Sequence, residues 1–194
     1  MSDTSVSLLE RLRANPDGDA WQRLVSLYTP LLRSWLYRHG LQASDTDDLV
    51  QEVLAVVVRE LPAFEHNRHP GAFRSWLRTI LVHRLREFWR RRQHRPDAAG
   101  GSDFHKQLDE LEDPHSGVGR LWDEEHDRHV VRRLLELIRP EFRPATWDAF
   151  TGVMLDGKKP ADVANALGVS VNAVLLAKSR VLARLRQVGL GIIF

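Results

Sequence analysis

A chain of 194 residues with 43% hydrophobic side chains has room for one ordinary domain or two small ones, and enough apolar content to exclude wholesale disorder. No apolar run approaches the roughly 20 residues that span a bilayer, the N-terminus lacks a signal-peptide core, and without cysteine there are no disulfides or thiol chemistry. These exclusions predict a cytoplasmic protein without a membrane partner, and a formal net charge of +2 that is uninformative until it is divided along the sequence.

In chain order, residues 1–19 read as an N-terminal extension. Trp21, Leu24, Val25, Tyr28, Leu31, Leu32 and Trp35 then recur at three- and four-residue spacing, as one face of a helix does. Pro30 falls within that pattern and predicts a kink or a new helical start. Ser44 followed by Asp47 gives a capping signature, and Leu49, Val53, Val56, Val57 and Leu61 continue an apolar stripe as far as Pro62. Pro70-Gly71 opens a third helix with Phe73, Trp76, Leu77, Ile80, Leu81, Leu85 and Phe88. Residues 20–93 thus read as one module, a bundle of three to four helices. Its end is strongly basic: residues 74–95 hold eight arginines against Glu87.

Residues 96–127 reverse the sign, with ten acids against Lys106 and Arg120. Periodicity fails there, and Gly100-Gly101, Pro114 and Gly117 predict an acidic flexible linker over 94–127, with a short helix near Phe104–Leu111. A second module follows over 128–188. It opens with Val130, Val131, Leu134, Leu135 and Ile138, and Pro144 suits the first turn of a helix bearing Trp147, Phe150 and Met154. Residues 189–194 are left as a tail. With no convincing strand alternation, the fold class is all-α.

Residues 160–186 read as a helix-turn-helix. Pro160 starts a short helix with Val163, Ala164 and Leu167 inward, Gly168 suits a left-handed turn, and Ser170 can cap the second helix. Val174, Ala177, Val181 and Leu185 form the buried stripe of that helix. At 100° per residue, Asn172, Leu176, Ser179 and Ala183 lie nearly opposite Val174, flanked by Leu175, Arg180 and Arg186. Early residues of such a helix reach base edges in the major groove: Asn172 suits adenine, and Leu175 or Leu176 a thymine methyl. Lys178, Arg180 and Arg184 are better suited to phosphates. The bland alternative is a packed helix pair that touches no DNA. Two basic blocks around an acidic one suggest two polyanion-binding surfaces, against the plainer reading of solvated helix faces.

Two stretches carry a family resemblance. Asp45-Thr-Asp-Asp-Leu-Val-Gln-Glu-Val53 with Phe73-Arg-Ser-Trp-Leu77 resembles region 2 of the sigma-70 family, particularly the extracytoplasmic-function group. Ala177-Lys-Ser-Arg-Val-Leu-Ala-Arg-Leu-Arg186, with its helix-turn-helix, is similar to region 4 of that group. The resemblance implies a non-enzymatic transcription initiation factor whose partners are core RNA polymerase and promoter DNA, with an anti-sigma factor as a further candidate partner. It implies polymerase docking through Asp48, Gln51 and Glu52. It implies recognition and melting of the −10 element through Phe64, His66, Asn67, Arg68, Arg74, Arg78 and His83, the loop 64–69 capturing a flipped base. It implies −35 recognition through Ser170, Asn172, Leu175, Leu176, Lys178, Ser179, Arg180 and Arg184. His83 stands where relatives often have asparagine, and Leu175-Leu176-Ala177 where many carry Lys-Ser-Arg.

Two rivals remain in the sequence. A dimeric helix-turn-helix regulator would use residues 160–186 but leaves the first module unexplained. A metalloenzyme is prompted by His66-x-x-His69 and by Glu125-His126-x-x-His129, yet neither has an obvious third ligand and arginines crowd both. No metal and no cofactor are expected.

Overall fold

The computed structural model describes residues 8–14, 18–38, 41–65, 71–93, 101–190 and 192–193. Their regular structure is entirely helical: α1 (Leu8–Ala14), α2 (Asp19–Arg38), α3 (Ala43–Glu60), α4 (Ala72–Gln93), α5 (Gly101–Glu112), α6 (Gly117–Ile138), α7 (Pro144–Met154), α8 (Pro160–Leu167) and α9 (Val171–Val188), with 3-10 turns at Leu61–Ala63 and Arg139–Glu141. The all-α expectation holds. Among the described residues no single helix is long and apolar enough to cross a membrane. The described residues form two compact units, Leu8–Val130 with residues 192–193, and Val131–Leu190.

In the first unit α2 packs on α3, α3 on α4, and α4 on α5. The α2 stripe buries Leu24, Leu27, Tyr28, Leu31, Leu32, Trp35 and Leu36, and Pro30 sits inside one continuous helix rather than starting a new one. The predicted cap of α3 does not form. Its N-cap is Gln42, without a side-chain cap, and Asp47 instead accepts from Arg33 Nε at 2.7 Å. A cross-helix guanidinium has outcompeted a local backbone amide for that carboxylate. Leu8, Leu9 and Leu12 of α1, within the expected N-terminal extension, are buried as thoroughly as any residue of α2.

The acidic stretch expected to connect the modules carries α5 and much of α6. Leu108 and Leu111 bury one edge of α5, and Trp122, His126 and Val130, one helical turn apart, are fully buried along α6. Trp122 meets Trp35 edge-on with ring centroids 5.1 Å apart.

In the second unit α7, α8 and α9 pack mutually. Pro144 and Pro160 occupy the first turns of α7 and α8, where the missing N–H costs nothing. Ala149, Val163, Ala164, Val174 and Ala177 form the core, with Val153 and Leu167 against it. Gly152 lets α7 approach α8 closely, since a Cβ there would lie 3.0 Å from Val163 Cγ2. Gly168 ends α8 at φ +65°, its N–H bonding back to the last turn, and Ser170 Oγ accepts from Ala173 N at 3.2 Å. Across this turn α8 and α9 meet at 106°. The α9 stripe Val174, Ala177, Val181 and Leu185 is buried as the spacing predicts.

Candidate nucleic-acid and polymerase interfaces

On α3, Asp48 and Gln51 are exposed and Glu52 is half-buried. Glu52 accepts from Arg91 Nη2 at 3.1 Å, and Asp45 from Arg92 Nη1 at 2.6 Å. Together with Leu49 and Phe88, these side chains line a shallow groove between α3 and α4 in which acids and arginines alternate. Such a groove can meet a charged partner of either sign, but Glu52 is not a free carboxylate.

Phe64, just past the first 3-10 turn, stacks on Trp76 with centroids 4.6 Å apart and planes at 26°, and meets Phe73 edge-on at 5.7 Å. It is part of an aromatic wall, as a base pocket requires. His66, Asn67, Arg68 and His69 lie outside the described residues. His83 is exposed on α4.

Arg74 and Arg78, expected to contact DNA, face α6 instead. Arg78 is almost wholly buried, with Nη1 3.0 Å from Asp123 Oδ1. Arg74 places Nε 3.1 Å from the same oxygen and pairs with Asp127 through Nη1. In this conformation neither guanidinium is offered to a phosphate. The reason is geometric: Arg74 and Arg78 stand one turn apart on α4, and Asp123 and Asp127 one turn apart on α6, so the four charges mesh. That matching four-residue spacing was the available sequence signal.

The same seam explains the second histidine motif that suggested a metal, Glu125-His126-x-x-His129. His126 is buried beside Tyr28 and Asp127, and the neutral tautomer that satisfies both donates Nδ1–H to Asp127 Oδ1 at 3.0 Å and accepts the Tyr28 hydroxyl at Nε2, 3.1 Å away. His129 Nε2–H donates to the Leu27 carbonyl at 2.7 Å, and Glu125 accepts from Arg38 Nη1 at 2.6 Å. These are structural bonds, and no group of three metal-ligand side chains gathers among the described residues.

Burial pushes the His126 pKa below the ordinary histidine value, although Asp127 opposes this. Burial alone would raise Asp127, but hydrogen bonds from His126 and Arg74 hold it low; the Arg38 hydrogen bond likewise holds Glu125 low. A histidine harder to protonate when folded takes up its proton on unfolding. Stability is therefore full above the unfolded value of about 6.5 and is lost as the pH falls below it, with the two carboxylates adding to the loss further down. Thermal melts between about pH 7.5 and 5.5 should show the decline, and His126→Gln, which does not titrate, should flatten it; equal slopes for both proteins would refute this account.

On α9, Asn172, Ser179 and Arg180 are exposed, Lys178 is half-buried, and Leu175 and Leu176 are 45% and 48% exposed, unusual for leucine. This is the outward face predicted. Ser170 is occupied as the cap. Arg184 departs from its expected phosphate role: its Nε and Nη2 grip the two Glu141 oxygens at 2.6 and 2.9 Å, tying α9 to the second 3-10 turn. Glu141 was not foreseen, because a bidentate pair 43 residues apart leaves no local pattern.

With this geometry in hand, residues 24–95 match the family model described as Sigma-70 region 2. That match takes in α3, α4 and all but the first residues of α2, so this part of the chain is similar to a Sigma-70 region 2 domain. A curated relative is "RNA polymerase sigma factor NccH" of Alcaligenes xylosoxydans xylosoxydans, 31% identical over 105 residues. The alignment takes in 54% of this chain and 55% of the relative, so the chain spans about half the length of the curated relative it matches.

Proposed function

We propose that the chain is a sigma factor of the extracytoplasmic-function type, which binds core RNA polymerase and directs initiation at promoters carrying −10 and −35 elements. In this reading residues 20–93 form region 2, 94–127 the connection, and 128–188 region 4. The observation that carries it is the region 2 match over α2–α4 in a chain that adds a separate unit with two helices at 106°. That angle lies within the range of DNA-reading helix-turn-helix pairs, and the exposed face of α9 carries Asn172, Leu175 and Leu176. The protein contributes binding and positioning, and the polymerase the chemistry.

The test is in vitro transcription with core polymerase on a promoter library. Transcription that depends on this chain, from promoters sharing two spaced elements, supports the reading. Footprinting of a palindrome without polymerase overturns it in favour of a dimeric regulator.

Within this function the segment 64–69 should drive strand opening. Asn67→Ala with Arg68→Ala should leave closed complexes intact and reduce permanganate reactivity of unpaired thymines, because a flipped base loses contacts that offset its unstacking, a cost of a few kcal/mol. A pre-melted bubble template should restore transcription. Normal opening of duplex promoters by the variant would remove the segment from this role.

Asn172→Ala should relax preference at one base pair of the −35 element by about 1–3 kcal/mol, whereas Arg180→Ala should weaken all sequences alike and lower the salt exponent by about one. Equal changes in base preference for both variants would contradict this division.

A further inference from the structure

The ion pairs that join α4 to the acidic helices are of two grades. Those with α6 are enclosed: the Arg78 and Asp123 side chains are 5% and 23% exposed, and they flank the fully buried Trp122 and His126. Opening them means extracting an aromatic core. Farther along α4, Arg86 Nη2 lies 2.8 Å from Asp109 and 2.7 Å from Glu112, both on α5. These side chains are 34%, 72% and 46% exposed, and α5 beneath them buries Leu108 and Leu111. Exposed pairs contribute little each, so α5 is held chiefly by Leu108 and Leu111, whereas α6 is held by enclosed ion pairs as well as an aromatic core. Two carboxylates, three residues apart on one helix face, converge on a single guanidinium, more negative charge than neutralisation requires. Past Arg86 the basic face opens, with Arg90 and Arg91 well exposed.

We propose that α5 is a displaceable acidic cover over the basic face of α4. Asp109 and Glu112 hold on Arg86 the place that a nucleic-acid phosphate takes, so that a strand following α4 inward from Arg90 must lift α5 to continue. This rests on the reading of α4 as a nucleic-acid surface. It separates the arginines of α4 by role: Arg74 and Arg78 remain structural, whereas Arg86 changes partner.

The experiment uses the full chain and a labelled single-stranded oligothymidylate, without polymerase. Asp109→Asn with Glu112→Gln should bind the strand about 3- to 10-fold tighter at low salt, with a salt exponent steeper by about 0.7 for one released arginine. Glu110→Gln with Glu124→Gln is the control. It makes the same charge change, at one residue of α5 and one of α6 that form no ion pair among the described residues. Its gain should be smaller, and adding Arg86→Ala to the first variant should abolish the difference. Amide exchange on the wild-type chain gives a readout independent of any variant's folding: adding the strand should accelerate exchange across 101–112 and leave 117–130 unchanged. The proposal is overturned if the two double variants bind alike, if the gain survives Arg86→Ala, if α5 exchange does not rise, or if no form of the chain binds the strand. None of these outcomes touches the sigma-factor reading, which stands or falls on polymerase-dependent transcription.

Discussion

Trp122→Ala should destabilise the first unit by about 3–5 kcal/mol and lower its melting temperature on the order of 10 °C. The indole is fully buried and meets Trp35 edge-on at 5.1 Å. Truncation therefore removes both its transfer energy and an aromatic contact worth about 0.5–1.5 kcal/mol, and leaves a cavity. The neighbouring residues Asp123, His126 and Asp127 would lose register with Arg74, Arg78 and Tyr28, so the loss should fall at the high end of the range. Trp122→Phe keeps a ring against Trp35 and should cost well under half as much. A loss below about 1 kcal/mol for the alanine variant would mean that α6 is not anchored on this unit.

The second large effect concerns polymerase. If the chain docks on core polymerase through α3 as proposed, Asp48→Lys with Glu52→Lys should reduce affinity for core about 10- to 100-fold, since like charges brought together at an interface cost several kcal/mol. Because Glu52 is bonded to Arg91, reversing it alone also places two cations side by side. Adding Arg91→Glu restores an opposite pair in reversed orientation and isolates the effect on the partner. Loss of core binding in the triple variant with an unchanged helical circular dichroism spectrum is the expected result. Co-purification with core at the wild-type level would remove this face of α3 from the docking surface.

The elements that the sequence announced are those whose cues are local. Pro160, Gly168 and Ser170 punctuate α8 and α9 because fixed φ, a left-handed residue and a side-chain cap act within a few bonds. The stripes of α2 and α9 were legible because each buries a broad apolar face. The first part of α6, before the stripe Val130–Ile138, was not, because its buried line is only Trp122 and His126, and the rest of its hold comes from ion pairs with residues 45 to 53 positions away. Gly117 was read as a linker residue, yet it opens the helix. Two residues on, Gly119 admits the Asp113 carbonyl, which would lie 2.1 Å from any Cβ. The outward face of α9 followed from helical arithmetic, whereas the fates of Arg74, Arg78 and Arg184 turned on partners no local pattern names. Helix α1 was overlooked despite Leu8, Leu9 and Leu12 standing at helical spacing.

The meshing of Arg74 and Arg78 with Asp123 and Asp127 bears on how the free protein partitions in a solution crowded with DNA. Non-specific association is driven by small ions set free when arginines replace them at phosphates, about 0.9 of an exponent for each contact on duplex DNA. An arginine that already carries its own built-in counterion sets none free, so these two add nothing to that driving force while the seam is closed. On random-sequence duplex the salt exponent of the free chain should therefore fall short of what a count of the eight arginines of residues 74–95 suggests. To that extent bulk chromosome, a vast excess of weak sites, is a poorer reservoir for the protein than its arginine count suggests.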